Sequence, residues 1–500
     1  MFLAFVLIWF LREVRAILFW LYLWQLKEYH IGRFLAHFQT AKGKRLLLNP
    51  LTGFKLTLLG FVLFVPSAIY IAIPIYAAEV LLRKAPRPVF TLKVKLLTAA
   101  FVCFLLAFAL LKSLVFLLIV DIATPLFASA VVLILQPFAV VGRAGIVRRA
   151  KKRRRKFKKL KVIGITGSYG KTSTKEFLAH ILGQKFQVLK TPEHANSEVG
   201  ISRTILRNLT DEHDIFVCEM GAYNKGGIKL LADIAKPDIG IVTGVNEQHL
   251  ATFGSMENLL SAEGGKELIE ALPKDGVLII NQKSNIKIQS DNAKCKIIIP
   301  QIPHVKVEKE RISFETEGVS FRVPVYGGHN VQNLLLAIAA ARELGMSLRE
   351  IAKAAETMPL EIGALKVWRG TGGITVIDST YSANPDGVIA DLEYLNLYEG
   401  KKVLVMPCLI ELGKASKEVH RRIGEKIAEV CDLAILTTGE CLTSVKEGAR
   451  QSDKIIYMEH AQYIFEKIKE VMGEGGAVLL EGGKESRTQR DLLALLSKND

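Results

Sequence analysis

Cysteine is scarce in this 500-residue chain. The six present, Cys103, Cys218, Cys295, Cys408, Cys431 and Cys441, form no CxxC pair and no metal-ligand spacing. A cysteine-built metal site is therefore not expected, nor is a disulfide framework, and the usage fits a reducing cytosol. A cleavable signal peptide is not expected either. The first residues lack a basic n-region, and Arg12, Glu13 and Arg15 interrupt the first apolar run. Acidic residues are missing from Arg143 to Lys161, which holds twelve Lys or Arg. That stretch supplies most of the formal charge of +17 and leaves the remainder near +5. No aromatic interleaving or recognition module accompanies it, so nucleic-acid binding is not the reading. Residues 143–161 read instead as a basic juxtamembrane linker on the cytoplasmic side, each cation worth ~1 kcal/mol beside an anionic leaflet.

What is present divides the chain. Residues 1–142 carry long uncharged runs, and the rest has ordinary soluble composition. The runs are Phe2–Trp24, Phe54–Leu81 with Pro66 and Pro74, and Leu96–Val141. The last is about twice the ~20 residues that cross a bilayer as a helix, and it predicts two helices broken near Asp121–Pro125. The expectation is a multi-pass membrane region of three to four apolar helices, with the following domains in the cytoplasm. Phe54–Leu81 reads as a span or as a re-entrant hairpin bent at its prolines. Lys112 and Asp121 lie inside apolar sequence, where a central charge costs at least ~2.5–3.5 kcal/mol, so each is expected near the interface at a helix end, with a lipid-headgroup or substrate site between helices as the alternative.

From Val162 onward, strand-like runs alternate with helical patterns. Ile215–Glu219, Ile239–Val245, Val277–Asn281, Ile374–Asp378, Val403–Met406, Leu433–Leu436 and Ala477–Leu480 are the predicted strands. This alternation predicts parallel α/β architecture with functional loops at strand C-terminal ends. The most informative loop is Thr166-Gly167-Ser168-Tyr169-Gly170-Lys171-Thr172-Ser173, between a predicted strand and a predicted helix. Its glycines let backbone N–H groups close on phosphate oxygens; the helix N-terminus and Lys171 add positive charge, and Thr172 offers a hydroxyl to magnesium. ATP is the nucleotide expected here. Glu219 ends one predicted strand and His249 follows another, so the two are candidates to reach a metal beside that loop. Asn330 and Asn333 precede a predicted helix, as adenine contacts or as a helix cap.

Together these motifs resemble the Mur ligase family, the ATP-dependent amide ligases of bacterial cell-wall synthesis. Thr166–Ser173 fits that family's TGxxGKT loop; the general GxxxxGK pattern fails because Ile165 stands at its first glycine. Thr191-Pro-Glu-His-Ala-Asn-Ser-Glu-Val-Gly200, Glu219-Met-Gly, His249-Leu, Phe253-Gly-Ser and Gly328-His-Asn-x-x-Asn follow in family order. Asp378-Ser-Thr-Tyr-Ser-Ala-Asn-Pro385 and Glu411-Leu-Gly413 with His420 look most like the branch that adds D-alanyl-D-alanine to a muramoyl tripeptide. The resemblance implies a central ATP-binding domain over 162–360 and a Rossmann-like C-terminal domain over 361–500. It implies carboxylate activation as an acyl phosphate, then displacement by an amine. Lys171 would bridge the β- and γ-phosphates, Thr172 and Glu219 would hold one magnesium, and His249 would serve a second. Asn330 and Asn333 would contact the adenine side and Asp378 the ribose, with domain closure part of catalysis.

The sequence departs from the family at four places. Glu263 stands where most members carry a lysine whose carbamate gives magnesium a carboxylate; Glu263 is expected to supply it directly, with Lys266 as the alternative. Gly363-Ala364 replaces a Gly-Arg pair, and Pro407-Cys408 replaces a Gly-Asp pair. The membrane region and basic linker take the place of the family's UDP-binding N-terminal domain. A lipid-linked muramoyl peptide, a soluble precursor and a poly-γ-glutamate-like acceptor all remain open, as does a non-catalytic ATP-binding scaffold.

Overall fold

The computed structural model describes residues 1–27, 29, 31–38, 41–47, 49–82, 86–282, 295–362, 365–381, 383–472, 475–482 and 486–497. The departure at Gly363-Ala364 lies outside them. The chain divides into two compact units, Met1–Ala144 and Gly145–Asp500.

The first unit is helical. Its longer helices are Phe2–Leu26, Pro50–Val62, Ala72–Leu82, Leu92–Leu110 and Leu114–Ile134, and Gln136–Arg154 begins in it. Pro66 opens a 3-10 turn, Pro66–Ile71, that separates two of these helices, so Phe54–Leu81 is bent where its first proline predicts. The predicted break near Asp121–Pro125 is not there. Pro125 lies inside the helix Leu114–Ile134, and the chain instead turns at Leu111–Ser113. Lys112 takes a left-handed φ of 53° at that turn, and Ser113 caps the next helix by accepting from the Phe116 N–H. Lys112 therefore sits between helices, as expected, and Asp121 does not. Asp121 is buried with Glu13, Lys55 and Thr124, while Phe64, Leu110 and Leu126 lie more than three-quarters exposed. The unit has an apolar core, with Phe5, Trp9, Trp24 and Phe101 fully or almost fully buried, and the small polar cluster is set within it, while large apolar side chains also cover its outside. Two helical stretches, Lys93–Leu110 and Leu114–Arg154, are long and apolar enough to cross a membrane.

The basic segment is not a free linker. Its first part continues the helix Gln136–Arg154, and Arg154 is 8 % exposed. Arg154 donates to the carbonyls of Ala235 at 2.9 Å and Phe157 at 2.8 Å, and Arg153 to that of Leu209 at 2.7 Å. Part of the charge thus anchors the segment to protein.

The second unit holds two parallel sheets. In the first, β1 (Lys161–Thr166), β2 (Val188–Lys190), β3 (Ile215–Glu219), β4 (Ile239–Val242), β5 (Val277–Ile280) and β6 (Lys296–Ile298) lie in the order β2-β3-β1-β4-β5-β6, all parallel. The central strands β1, β3, β4 and β5 are nearly continuous buried runs rich in Ile and Val, as a sheet covered on both faces requires. Chain order reverses at β1, with β3 on one side and β4 on the other, so the loops after these strands flank a crevice. The antiparallel hairpins of β7 (Val305–Val307), β8 (Ile312–Thr316) and β9 (Val319–Val323) add to the core on which the helix Asn330–Glu343 packs. In the second sheet, β10 (Lys366–Arg369), β11 (Thr375–Ser379), β12 (Lys402–Met406), β13 (Leu433–Leu436), β14 (Ile455–Tyr457) and β15 (Ala477–Glu481) lie in the order β10-β11-β15-β12-β13-β14. Only β10 is antiparallel there.

One covalent feature contradicts the sequence reading. Cys408 and Cys441 are joined in a disulfide across 33 residues. They follow β12 and β13, neighbouring parallel strands whose loops emerge at the same edge of the sheet. Spacing along the chain carries no trace of that proximity.

Candidate active site

The phosphate-type loop is set by two backbone demands. Gly167 has φ 138° and Gly170 φ 75°, both left-handed. A Cβ at Gly167 would come within 2.2 Å of Thr243 Oγ1, and one at Gly170 within 2.4 Å of Asn333 Oδ1. Glycine is therefore needed for conformation and for space. Gly170 caps the helix Lys171–Leu182, which buries Phe177, Leu178, Ile181 and Leu182 against the core. Hydrophobic packing thus fixes a helix whose positive end faces the crevice. The loop is tied to β4: Ser168 N–H donates to Gly244 O at 2.7 Å, and Thr243 Oγ1 donates to Thr166 O at 3.1 Å and to Tyr169 O. Burial raises the Tyr169 phenol to about 12, with Asp386 adding to the effect.

Two polar groups meet beneath this loop. In the first, the Thr172 hydroxyl lies 3.2 Å from both oxygens of Glu219, which ends β3. Lys175 Nζ, fully buried, lies 3.1 Å from Glu219 Oε2, and Asn196 Nδ2 donates to Glu219 Oε1 at 3.2 Å. In the second, Glu263 accepts from Ser168 Oγ at 2.6 Å and pairs with His249 Nδ1 at 3.0 Å. Glu263 is 1 % exposed and caps the C-terminus of the short helix Met256–Ala262. It does not line the cavity described next. Its two oxygens meet Ser168 and His249, both of which line that cavity. Lys266, the alternative, is exposed and opens the following helix.

A cavity of about 310 Å³ joins these elements. The central domain contributes Ser168–Ser173, Glu219 and His249, and the C-terminal domain Ser379, Tyr381, Asn384 and Asp386. Lys171 Nζ donates to the loop carbonyls of Gly167 at 2.5 Å and Ser168 at 3.2 Å. Asn333 lines the cavity and accepts from Thr174 Oγ1 at 3.3 Å. Asn330 does not line it. Its amide donates to Tyr326 O at 2.8 Å and its oxygen accepts from Asn333, so it braces the first turn of its helix. Asp378 is not at the wall either. Its Oδ1 accepts from Thr380 N at 2.9 Å and Oγ1 at 2.6 Å, because a carboxylate at the end of β11 is captured by the turn that follows. Tyr381, on that turn, faces the nucleotide loop; its ring stacks on His194 at 5.3 Å.

The two domains are bonded across the crevice. Asn246 Nδ2 donates to Asn384 Oδ1 at 2.9 Å and Asp386 Oδ2 at 3.0 Å. Gln248 Nε2 donates to Ala383 O at 3.3 Å, Arg422 pairs with Glu247 at 3.2 Å, and Ala251 N–H donates to Glu411 O at 2.9 Å. The partners on the central domain all belong to the loop carrying His249. Sequence reasoning did not single out Lys175, Tyr381 or Asn246 as site residues. Lys175 carried a usable signal: it lies four residues after Lys171, one helical turn along the same face. Behind Ser379, Asp391 and Glu481 form a buried acidic pair, and burial with the nearby Asp391 raises the Glu481 carboxyl well above the usual range.

The chain's likeness to known proteins follows the same division. Residues 165–341 match the Mur ligase middle domain, and 365–483 the Mur ligase glutamate ligase domain, together more than half of the chain. The UDP-N-acetylmuramoyl-tripeptide--D-alanyl-D-alanine ligase of Bacillus subtilis is 29 % identical over 65 % of this chain and 73 % of its own. That of Synechocystis is 34 % identical over 53 % of this chain and 59 % of its own. The crystal structure of MurF from Acinetobacter baumannii aligns with a TM-score of 0.64 at 28 % identity, covering 71 % of this chain and 80 % of its own. MurF ligase from Thermotoga maritima in complex with ADP aligns with a TM-score of 0.60 at 25 % identity, covering 71 % and 83 %.

Proposed function

Because the chain belongs to the Mur ligase family, we propose that it is an ATP-dependent amide ligase joining D-alanyl-D-alanine to a muramoyl-tripeptide precursor. The observation that carries the reading is the cavity walled by both domains, with Thr172 and Glu219 side by side beneath the glycine loop. The tripeptide carboxylate attacks the γ-phosphorus of ATP, ADP leaves, and an acyl phosphate forms. The dipeptide amine then attacks the acyl carbon; the C–N bond forms, the C–O bond to phosphate breaks, and the amine sheds a proton. Positioning and neutralisation of charge are the protein's main tasks in the first step. Lys171 and the loop N–H groups hold the phosphates. The Thr172 hydroxyl and the Glu219 carboxylate are hard oxygen donors from neighbouring elements and fit magnesium. Magnesium, when bound there, neutralises charge on the transferring phosphoryl group. Glu263 fixes His249 and Ser168 in place, and Tyr381 lines the cavity from the C-terminal domain.

The first unit is proposed to lie in the cytoplasmic membrane as a multi-pass region, with the catalytic domains in the cytoplasm. Its two long apolar helices and the large apolar side chains exposed on its outside support this, and the basic residues left unanchored in 143–161 suit an anionic inner leaflet. The muramoyl acceptor is then met either as a lipid-linked or as a soluble precursor.

The test is phosphate release by the purified full-length protein with ATP and magnesium. Release that requires a muramoyl tripeptide together with D-alanyl-D-alanine is the expected result. Release with a poly-γ-glutamate-like acceptor instead reassigns the substrate, and no release with any acceptor leaves an ATP-binding scaffold.

A further inference from the structure

We infer that the first unit contains a binding site for one anionic lipid whose head carries a single phosphodiester. The inference rests on the membrane reading of this unit. A cavity of about 400 Å³ opens between its helices. Its lining includes the charged Arg12, Arg15, Lys55, Glu79 and Asp121. The lining also includes the apolar Phe19, Trp20, Ile122 and Leu126, the last largely exposed on the outside of the unit. A polar pocket whose rim runs onto an apolar outer surface has the shape of an amphiphile site, head inward and chain along the flank.

The charges within it are unevenly satisfied. Arg12 contacts Glu13 at 2.5 Å, Glu79 at 3.2 Å and also Asp121. Lys55 Nζ lies 2.7 Å from Glu79 and 3.0 Å from Asp121, and Glu13 also accepts from Thr124. The three carboxylates are thereby engaged by Arg12, Lys55 and a hydroxyl. Arg15 has no carboxylate partner among the described residues; its one hydrogen-bond partner there is the carbonyl of Val80. A guanidinium has five N–H donors in a planar fork that matches two phosphate oxygens. Arg15 is only partly buried and lines the cavity. An ionised phosphodiester supplies both acceptors to this guanidinium, which no carboxylate among the described residues contacts directly.

A purely structural role for the network accounts for Arg12, Lys55 and the acids, which tie four helices together. It accounts for the one Arg15 donor that meets the Val80 carbonyl and leaves the rest of that guanidinium, at the cavity lining, unused by the described residues. Charges at such depth are costly and mark functional positions by default.

The experiment uses full-length protein in a neutral detergent and in vesicles. Flotation with phosphatidylcholine vesicles tests the membrane reading alone, and failure to float sinks that reading. Native mass spectrometry after exchange into phosphatidylglycerol or phosphatidylcholine then tests the site. The expected result is one retained phosphatidylglycerol per chain, no retained phosphatidylcholine, and at least a tenfold loss of retention in Arg15→Gln. Retention should survive millimolar inorganic phosphate. Lys55→Met, which breaks the helix-tying network, controls for unfolding through its melting temperature, whereas Arg15→Gln should melt as the wild type does. Equal retention of both lipids, undiminished retention in Arg15→Gln, or displacement of lipid by inorganic phosphate overturns the inference.

Discussion

Glu263→Gln is the perturbation that most directly tests how this site is built. The side chain keeps its shape and loses its charge. Both oxygens now accept, from Ser168 Oγ at 2.6 Å and in the His249 Nδ1 contact at 3.0 Å. Glutamine makes one of those positions a donor, so one partner loses its acceptor and the other bond becomes neutral. Charge-assisted bonds contribute about 1.5–3 kcal/mol and neutral ones about 1. The variant should therefore lose ~1–3 kcal/mol of positioning for His249 and Ser168, about 5- to 150-fold in rate. Lys266→Ala removes an exposed side chain and should fall within about 0.5 kcal/mol of the wild type in stability, with no comparable loss of activity. The assay is steady-state phosphate release across a magnesium titration, with and without bicarbonate. Wild-type activity should be indifferent to bicarbonate. Glu263→Lys should be inactive without it and partly restored by it, because a lysine at 1 % exposure is pushed toward its neutral, carbamate-forming state. Loss of activity in Lys266→Ala with an unaffected Glu263→Gln would refute the assignment.

Lys175→Met removes the buried cation 3.1 Å from Glu219. It should destabilise the second unit by ~3–5 kcal/mol, the cost of leaving a buried charge uncompensated. Lys175→Met/Glu219→Gln should recover much of the loss in thermal unfolding; a double variant no more stable than the single one would sink this account. Glu481 offers a pH test. Its folded-state carboxyl is raised by burial and the acids beside it, so its stabilising contribution is complete below its unfolded value of 4.5 and lost as pH rises through the folded value. One proton held only by the folded state changes stability by ~1.4 kcal/mol per pH unit over that window. Melting temperature should fall with rising pH in the wild type and more shallowly in Glu481→Gln; parallel slopes would contradict the shift.

The sheet strands were legible because a strand covered on both faces must be apolar throughout, and Ile215–Glu219 and Leu433–Leu436 run as read. The glycine loop was legible because its geometry admits little besides glycine at 167 and 170. Other features depend on distance through space. Cys408 and Cys441 meet because β12 and β13 are neighbours, and neither loop contains the other's position. Asp378 carries the right residue type at a strand end, yet Thr380, two residues on, claims its oxygen first. Asp121 looked like a helix-end charge because its partners, Arg12 and Lys55, lie far away in sequence. The break misplaced at Pro125 has a similar origin. A proline inside an apolar helix loses only one backbone bond, which the packing of Leu117, Leu118, Ala128 and Val132 on the same helix outweighs.

The bonds that hold the C-terminal domain to the Asn246–Ala251 loop also form a latch. They close over the cavity from the same loop that positions His249, so chemistry and exit are governed by one set of contacts. At about 0.5–1.5 kcal/mol each, they favour the shut state by a few kcal/mol. ADP and phosphate would leave only in the minority of moments when all have parted together. Asn246, which bonds two residues of the other domain, is the centre of that latch. Loosening it would speed release and shorten the time in which an acyl phosphate is sheltered from water.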